Sequence, residues 1–264
     1  MNVEIDRDIC SRCQHCTRVC PLGALSTETK HDYPVYNPES CIACGHCAAV
    51  CPIDAISLDM TGLRLHHPIS GLANINIPAT GSDFQELILQ RRSIRAYDPD
   101  RVVSKPVVQQ LLAAAAQAPT GGNRRNICFK LYTPQETSEM ELLAQDYYVH
   151  VTEDSWLKDL ILTRNYKVLL GAHSVLCLYA DPAISDFDCG LLSQNLLLMG
   201  HALGLGLCCN GIFKRACFHS AKMQDIVRLE AGSDWSLRMA FSIGYPAPEI
   251  YYGKVIERQT YRLD

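Results

Sequence analysis

Nowhere in these 264 residues does an apolar run reach the roughly 18 unbroken residues that a membrane-spanning helix needs. The greasiest stretch, Leu191 to Cys209, is interrupted by Asn195 and His201, which excludes a span there. The first ten residues are polar and hold no apolar signal region, which argues against secretion. Charge of neither sign dominates, since 24 Lys and Arg face 28 Asp and Glu for a net of −4. So balanced a chain is a poor match for nucleic acid. The small acidic excess lies at one end: residues 1–60 carry eight acidic and four basic side chains, and the remainder is balanced at twenty of each. A dinucleotide fingerprint is also missing, because the one glycine-rich candidate, Gly204-Leu205-Gly206-Leu207, lacks the G-x-G-x-x-G spacing and follows a helical pattern rather than a strand.

What the chain has in quantity is cysteine, 14 residues in all. Eight fall in two runs, Cys10, Cys13, Cys16, Cys20-Pro21 and Cys41, Cys44, Cys47, Cys51-Pro52, each spaced C-x2-C-x2-C-x3-C-P. Thiols three residues apart on a tight loop can grip three corners of a cube, while the intervening backbone N–H groups offset negative charge. The repeat extends past the cysteines, because His15 matches His46, Val19 matches Val50, Ala24 matches Ala55 and Ser26 matches Ser57, all 31 residues apart. That pattern predicts a duplicated unit about a pseudo-twofold axis. His15 and His46 are expected to be solvated or to support the ligands rather than to bind metal. Two structural zinc sites or a disulfide framework would also use eight cysteines, but the doubled spacing favours clusters.

These runs resemble the two-cluster bacterial ferredoxins, in which the fourth cysteine of each run ligates the cluster held by the other run. The resemblance implies one 4Fe-4S cluster on Cys10, Cys13, Cys16 and Cys51, and a second on Cys41, Cys44, Cys47 and Cys20. An acidic electron-transfer unit suits a basic redox partner. Cys128, Cys177, Cys189, Cys208, Cys209 and Cys217 show no regular spacing. Free thiols beside oxygen-sensitive clusters imply a reducing cytoplasm and an anaerobic source.

Along the chain, residues 1–60 form the cluster unit, with Thr27 to Pro38 a short hairpin or loop. Residues 61–82, rich in Pro, Gly and Asn, read as a linker that packs through Leu63, Leu65, Ile69 and Leu72. Adjacent His66 and His67 point different ways and make a poor metal pair. The second domain, 83–264, opens with a helix from Phe84 to Arg92, capped by Ser82 or Asp83, and another follows from Lys105 to Ala118. Strands are expected at Ile127–Tyr132, Ser174–Ala180 and Leu237–Ile243, with a short strand-like piece after Gly204. Helices are expected at Glu136–Tyr148, Asp188–Leu203 and Ala221–Leu229. The mixture without strict alternation predicts an α+β fold, a sheet with helices packed on it.

Three motifs of this domain carry chemistry. Arg91-Arg92-Ser93-Ile94-Arg95 sets three guanidiniums and a hydroxyl at a helix end, where arginine forks suit an anionic ligand; a solvated basic helix end would look the same. Ala118-Pro119-Thr120-Gly121-Gly122-Asn123 is a loop of small residues that lets a flat ligand approach the backbone. Gly204 to Gly211 adds Cys208, Cys209 and Asn210. Both thiols read as packing residues rather than reactive ones.

In this order the motifs resemble the nitroreductase family of FMN enzymes, marked by an RRSIR-type segment, an AP-[ST]-x-x-N loop and a GLG-x-C element, with Ile243-Gly244-Tyr245-Pro246 near the end. The resemblance implies that Arg91, Arg92 and Ser93 hold the phosphate and part of the ring, and that Arg95 sits at the N1/O2 edge. Asn123 would bond the pyrimidine edge, Pro119, Thr120 and Gly121 would frame the ring, and Cys208, Cys209, Asn210 and Gly211 would pass its N5 side. Arg258 or Lys254 would complete the phosphate site. It also implies a homodimer with FMN at the interface, for which the helix beginning at Asp188 is the natural element, although that helix reads equally as core.

The expected activity is an FMN-dependent oxidoreductase in which clusters and flavin pass electrons to a small acceptor such as a nitroaromatic or quinone. No residue is expected to be catalytic, because the flavin carries the chemistry. A ferredoxin or NAD(P)H would be the donor. The rivals are an NAD(P)H-linked flavoprotein that exports electrons through its clusters, and a non-enzymatic carrier between proteins.

Overall fold

A computed structural model describes residues 2–59, 81–153, 155–228 and 234–248. The 61–82 linker residues up to Thr80, including His66 and His67, and the C-terminal stretch with Lys254 and Arg258 lie outside the described residues. The chain forms two compact units, Met1–Pro78 with Gly122–Arg124, and Ala79–Gly121 with Arg125–Asp264.

The first unit is built twice. Strand β1 (Asn2–Ile5) and helix α1 (His15–Arg18) are followed by strands β2 (Leu25–Ser26) and β3 (Val35–Tyr36), helix α2 (His46–Ala49) and strand β4 (Ile56–Asp59). β1 pairs antiparallel with β4, and β2 with β3, so Thr27 to Pro38 closes a hairpin. The 31-residue offset holds at the level of pairing. Ile5 faces Ile56 in one ladder and Tyr36 faces Leu25 in the other. Asp6 N–H donates to Ala55 O at 2.9 Å, as Asn37 N–H donates to Ala24 O at 2.8 Å. Left-handed backbone recurs at the same offset: Arg12 (φ 59) with Ala43 (φ 58), Gln14 (φ 65) with Gly45 (φ 75), and Gly23 (φ 63) with Asp54 (φ 54). Non-glycine residues pay about 1 kcal/mol for that conformation, so its repetition marks a loop shape that both halves require. Val3, Cys16, Leu25, Ala48 and Ile56 form the small core.

The second unit is one antiparallel sheet with helices on both faces. In chain order it contains α3 (Gly81–Gln90), α4 (Lys105–Ala115), β5 (Ile127–Tyr132), α5 (Pro134–Asp146), α6 (Ser155–Arg164), β6 (Ser174–Ala180), α7 (Asp186–Ala202), β7 (Gly206–Cys209), α8 (Gly211–His219), α9 (Ala221–Val227) and β8 (Ser236–Gly244). The strand order is β5-β6-β8-β7, which is the expected α+β class. β6 is buried at all seven positions. Leu176, Leu178 and Ala180 pack with α4 and α7 on one face, while Val175, Cys177 and Tyr179 pack with α5, α8 and α9 on the other. Each large apolar side chain so buried contributes about 1.5–3 kcal/mol.

Several boundaries differ from the sequence reading for local reasons. α3 starts at Gly81, ahead of both proposed caps, and α4 ends at Ala115, where Arg125 Nη1 donates to the Ala116 and Ala118 carbonyls at 2.9 and 2.8 Å. α5 starts two residues earlier than expected, because Thr133 and Glu136 form a reciprocal capping box, and it passes into a π turn over Tyr147–Val151. α6 and α8 have no counterpart in the sequence reading. α8 is set by Asn210, whose Oδ1 accepts from Phe213 N–H at 2.8 Å and whose Nδ2 donates to Val168 O at 2.8 Å and Ser242 Oγ at 3.0 Å. Substituting Asn210→Ala removes a helix cap and strands two buried partners, and is expected to lower stability by about 2–3 kcal/mol. A urea titration of the variant checks this, and a midpoint equal to that of the unaltered chain would contradict the assignment.

Candidate functional site

Within the first unit, the loops before α1 and α2 each curl round a cavity. One is lined by Cys10, Cys13, Cys16 and Cys51 together with Ile5 and Ile56. The other is lined by Cys41, Cys44, Cys47 and Cys20 together with Tyr36 and Leu25. Each cavity thus takes three thiols from one run and its fourth from the other. All eight are free thiols. Among the described residues no three His, Cys, Asp or Glu side chains converge tightly enough for a single metal ion, whereas a group with four separated corners fits four thiols arranged round a cavity. Burial pushes the Cys16 thiol up to about 11 and also raises Cys47. Thiolates there need cationic partners, as iron would supply. Ala55 N–H already donates to Cys51 Sγ at 3.2 Å. His15 and His46 each open a short helix and are exposed at the cavity rims.

Tyr36 is the polar side chain that sequence reasoning passed over. Its hydroxyl oxygen is buried without a hydrogen-bond partner of good geometry. Burial, and then the Cys41 thiol beside it, push the hydroxyl up to about 12. Asn123 also groups with this unit, and its Nδ2 donates to the carbonyls of Ile42 and Ala43 at 3.0 and 2.8 Å.

Within the second unit, the segment after α3 is strapped onto β7. Ser93 bridges to Leu207 in parallel, and Ile94 N–H donates to Leu207 O at 3.2 Å. Tyr97 fixes the far end, donating from its hydroxyl to Ile94 O and Ser242 O at 2.9 and 3.0 Å and bridging to Pro246. The RRSIR and GLGLCC motifs, far apart in sequence, therefore lie side by side. Burial raises the Cys208 thiol, against the opposing pull of Arg95 and Ser93; so hindered a thiol supports the packing reading. Cys209 is exposed, with Arg91 within electrostatic reach. Burial, then Arg91 and Arg92, hold His201 below its ordinary value. Arg92 Nη1 caps α3 through Leu89 O at 2.8 Å. Among the described residues neither Arg91 nor Arg95 has a carboxylate partner within ion-pair distance, a surplus of cationic charge that suits an anionic ligand.

Pro119, Thr120 and Gly121 follow α4, and Gly121 N–H donates at 3.0 Å to Asp188 Oδ1, the capping-box residue of α7. Asn210 is buried and bonded within the fold: its amide holds Val168, Ser242 and Phe213, and its N–H donates to Ala240 O at 2.8 Å. Gly211 begins α8. Tyr166, which lies within electrostatic reach of Cys208 and Arg95, escaped sequence reasoning because nothing in its local pattern marks it, and the hold of Asp188 on Gly121 spans segments far apart in the chain.

With this geometry the chain was compared with known proteins. The nitroreductase family profile matches residues 88–245, more than half of the chain, and a 4Fe-4S dicluster domain profile matches residues 2–52. The chain belongs to the nitroreductase family and carries an N-terminal 4Fe-4S dicluster domain. A curated protein of Archaeoglobus fulgidus, named as an NADH dehydrogenase/NAD(P)H nitroreductase, is 26% identical over 138 residues, covering 49% of this chain and 68% of its own. The fold is similar to that of a nitroreductase with bound FMN from Desulfitobacterium hafniense (TM-score 0.58, 22% identity, 68% of this chain and 97% of the other). It is also similar to the FMN-dependent nitroreductase of Mycobacterium smegmatis in complex with NADPH (TM-score 0.54, 16% identity, 70% of this chain and 99% of the other).

The strap leaves no room on β7. A Cβ at Gly206 would lie 2.6 Å from Ile94 Cγ2 and 2.7 Å from Ile94 Cβ, so Gly206→Ala is expected to lift the strap and cost about 1–3 kcal/mol. Gly190→Ala, where the added Cβ meets nothing within 4 Å, is expected to be neutral or to stabilise by up to about 1 kcal/mol. Paired urea melts check both.

Proposed function

We propose that this chain is an FMN-dependent oxidoreductase in which two 4Fe-4S clusters and a flavin share electrons to reduce a small acceptor such as a nitroaromatic or a quinone. The observation that carries the reading is the juxtaposition of Arg91 to Arg95 with Leu207 to Cys209, a cationic segment laid along a strand in a chain of nitroreductase family. Bound FMN supplies two-electron chemistry and the clusters supply single electrons. The chain's own residues bind and orient. Arg91 and Arg92, whose charge is felt at His201, are suited to the phosphate. Arg95, exposed beside Cys208, is suited to the ring edge where negative charge builds on reduction. Gly121, tied to Asp188, holds the small-residue loop in place.

Cys10, Cys13, Cys16 and Cys51 would hold one cluster, and Cys41, Cys44, Cys47 and Cys20 the other, a crossed assignment supported by the lining of the two cavities. A homodimer with FMN at its interface is supported by apolar side chains left exposed on three helices of the second unit: Phe84 and Ile88 on α3, Trp156 and Leu162 on α6, and Phe187 on α7. The cluster unit would span 1–60 and the flavin unit 83–264, and a reducing cytoplasm is the fitting compartment. Among the described residues no helix is long and apolar enough to cross a membrane. Entry of electrons from NAD(P)H is the second reading, favoured by the name of the Archaeoglobus relative.

Anaerobic addition of NADH, NADPH or a reduced ferredoxin, while the flavin band is followed, tests the scheme. Prompt bleaching by ferredoxin alone is expected if the cluster unit is the entry port. Prompt bleaching by a nicotinamide instead gives the second reading, and no bleaching of bound FMN by any of them rejects both. The crossed ligands have a separate test. Cys51→Ser and Cys20→Ser are each expected to lose roughly half of the iron, with the signal surviving in Cys51→Ser matching that of Cys13→Ser and the signal surviving in Cys20→Ser matching that of Cys44→Ser; the opposite matching would rule out the crossing.

A further inference from the structure

The two cavities of the first unit are related by the 31-residue repeat, and one of the lining positions at which they differ is the one held by Ile5 in one and Tyr36 in the other. Ile5, paired with Ile56, lines the cavity of Cys10, Cys13, Cys16 and Cys51. Its counterpart Tyr36, paired with Leu25, lines the cavity of Cys41, Cys44, Cys47 and Cys20. One cavity therefore has an aliphatic wall where the other has a phenol.

That phenol has nowhere else to place its proton. Tyr36 packs against the small core, its oxygen is shut off from solvent, and it has no hydrogen-bond partner of good geometry. The groups within electrostatic reach of it are the thiols of Cys41 and Cys47. A buried hydroxyl left unsatisfied costs about 1–3 kcal/mol, so an acceptor that arrives in the cavity will be engaged. A metal-bound thiolate is such an acceptor, whereas a neutral thiol is a weak one.

Resting on the cluster reading above, we infer that Tyr36 donates an O–H···S hydrogen bond to Cys41 when the second cluster is in place, and so raises the reduction potential of that cluster but not of the other. Reduction adds negative charge to the cluster and its thiolates. A hydrogen-bond donor aimed at one sulfur stabilises the reduced state more than the oxidised one, which moves the potential up. Other groups also act on the pair. Ala55 N–H donates to Cys51 Sγ at the first cavity, and Arg12 on that rim is exposed and turned to His31 O at 3.1 Å and to the Tyr33 ring. The inference concerns the increment that Tyr36 adds, which a single substitution isolates. Tyr36 is thus a positioning residue that biases where an electron rests within a duplicated unit, acting through Cys41.

The test compares the full chain, loaded with iron, sulfide and FMN, with its Tyr36→Phe variant, which keeps the ring and removes the hydroxyl. Iron and sulfide contents are measured first, and a chain that holds no clusters overturns the cluster reading and this inference with it. With equal cluster content in both proteins, a redox titration followed by electron paramagnetic resonance is expected to show one cluster step moved to lower potential and the other unmoved. The cluster that moves should be the one that survives in Cys51→Ser. In heavy water, pulsed resonance on that cluster should detect an exchangeable deuteron that disappears in Tyr36→Phe. Neither step moving, both moving together, or deuteron couplings that are the same in the variant as in the unaltered chain would each overturn the assignment.

Discussion

A loop spaced Cys-x-x-Cys-x-x-Cys brings three thiols round one cavity and leaves the fourth corner to another part of the chain. That shortfall governs the first unit. Each half lends its last cysteine to the other, Cys51 to the first cavity and Cys20 to the second, so neither half closes its own site. The consequence reaches down to single dihedral angles. Arg12 and Gln14 hold the left-handed conformation of Ala43 and Gly45, although two of these four positions carry long side chains that disfavour it. Loop shape has been kept at a conformational cost while the side chains on it diverged. Buried thiols add to the coupling: Cys16 and Cys47 resist ionisation until cationic metal arrives, which ties closure of the unit to its loading.

The second unit answers a different constraint. Its central strand β6 is covered on both faces, so side chains that meet a ligand have to come from an edge. One of the two edge strands is β7. The strap from Ser93 to Tyr97 lies along it, anchored by backbone pairing to Leu207 and by the Tyr97 hydroxyl to Ser242. Interior packing on β6 is thus kept apart from the arginine segment, which lies along an edge strand.

What could be read from the residues alone followed from how local each signal is. β5 and β6 appear at the residues expected, Ile127–Tyr132 and Ser174–Ala180, because runs of β-branched and aromatic residues bounded by breakers are self-contained. α7 was legible from its apolar length, and the stop at Gly204 matches a left-handed φ of 71° there. α8 was not legible. Its start depends on Asn210 reaching Val168 and Ser242, contacts that no local pattern encodes, and they also make Asn210 the helix cap. Both family resemblances were carried by motif order, which needs no geometry. The role of Asp188 in holding Gly121, and the partnerless hydroxyl of Tyr36, arise only when distant segments meet.

The order of strands in the larger sheet has a consequence for how the protein is made. β8, residues Ser236–Gly244, sits between β6 and β7, so the strand that supports the arginine strap has no partner until nearly the whole described chain has left the ribosome. The described strands and helices that carry the eight clustered cysteines, by contrast, end at Asp59. Domains generally fold as units in the order of synthesis, at about 5–20 residues per second. A nascent chain therefore presents its eight clustered cysteines for some ten seconds or more before the sheet beside the arginines can close. Iron and sulfide delivery would meet all eight cysteines well before Asn123 reaches the Ile42 and Ala43 carbonyls, while the flavin has to wait for the last strand.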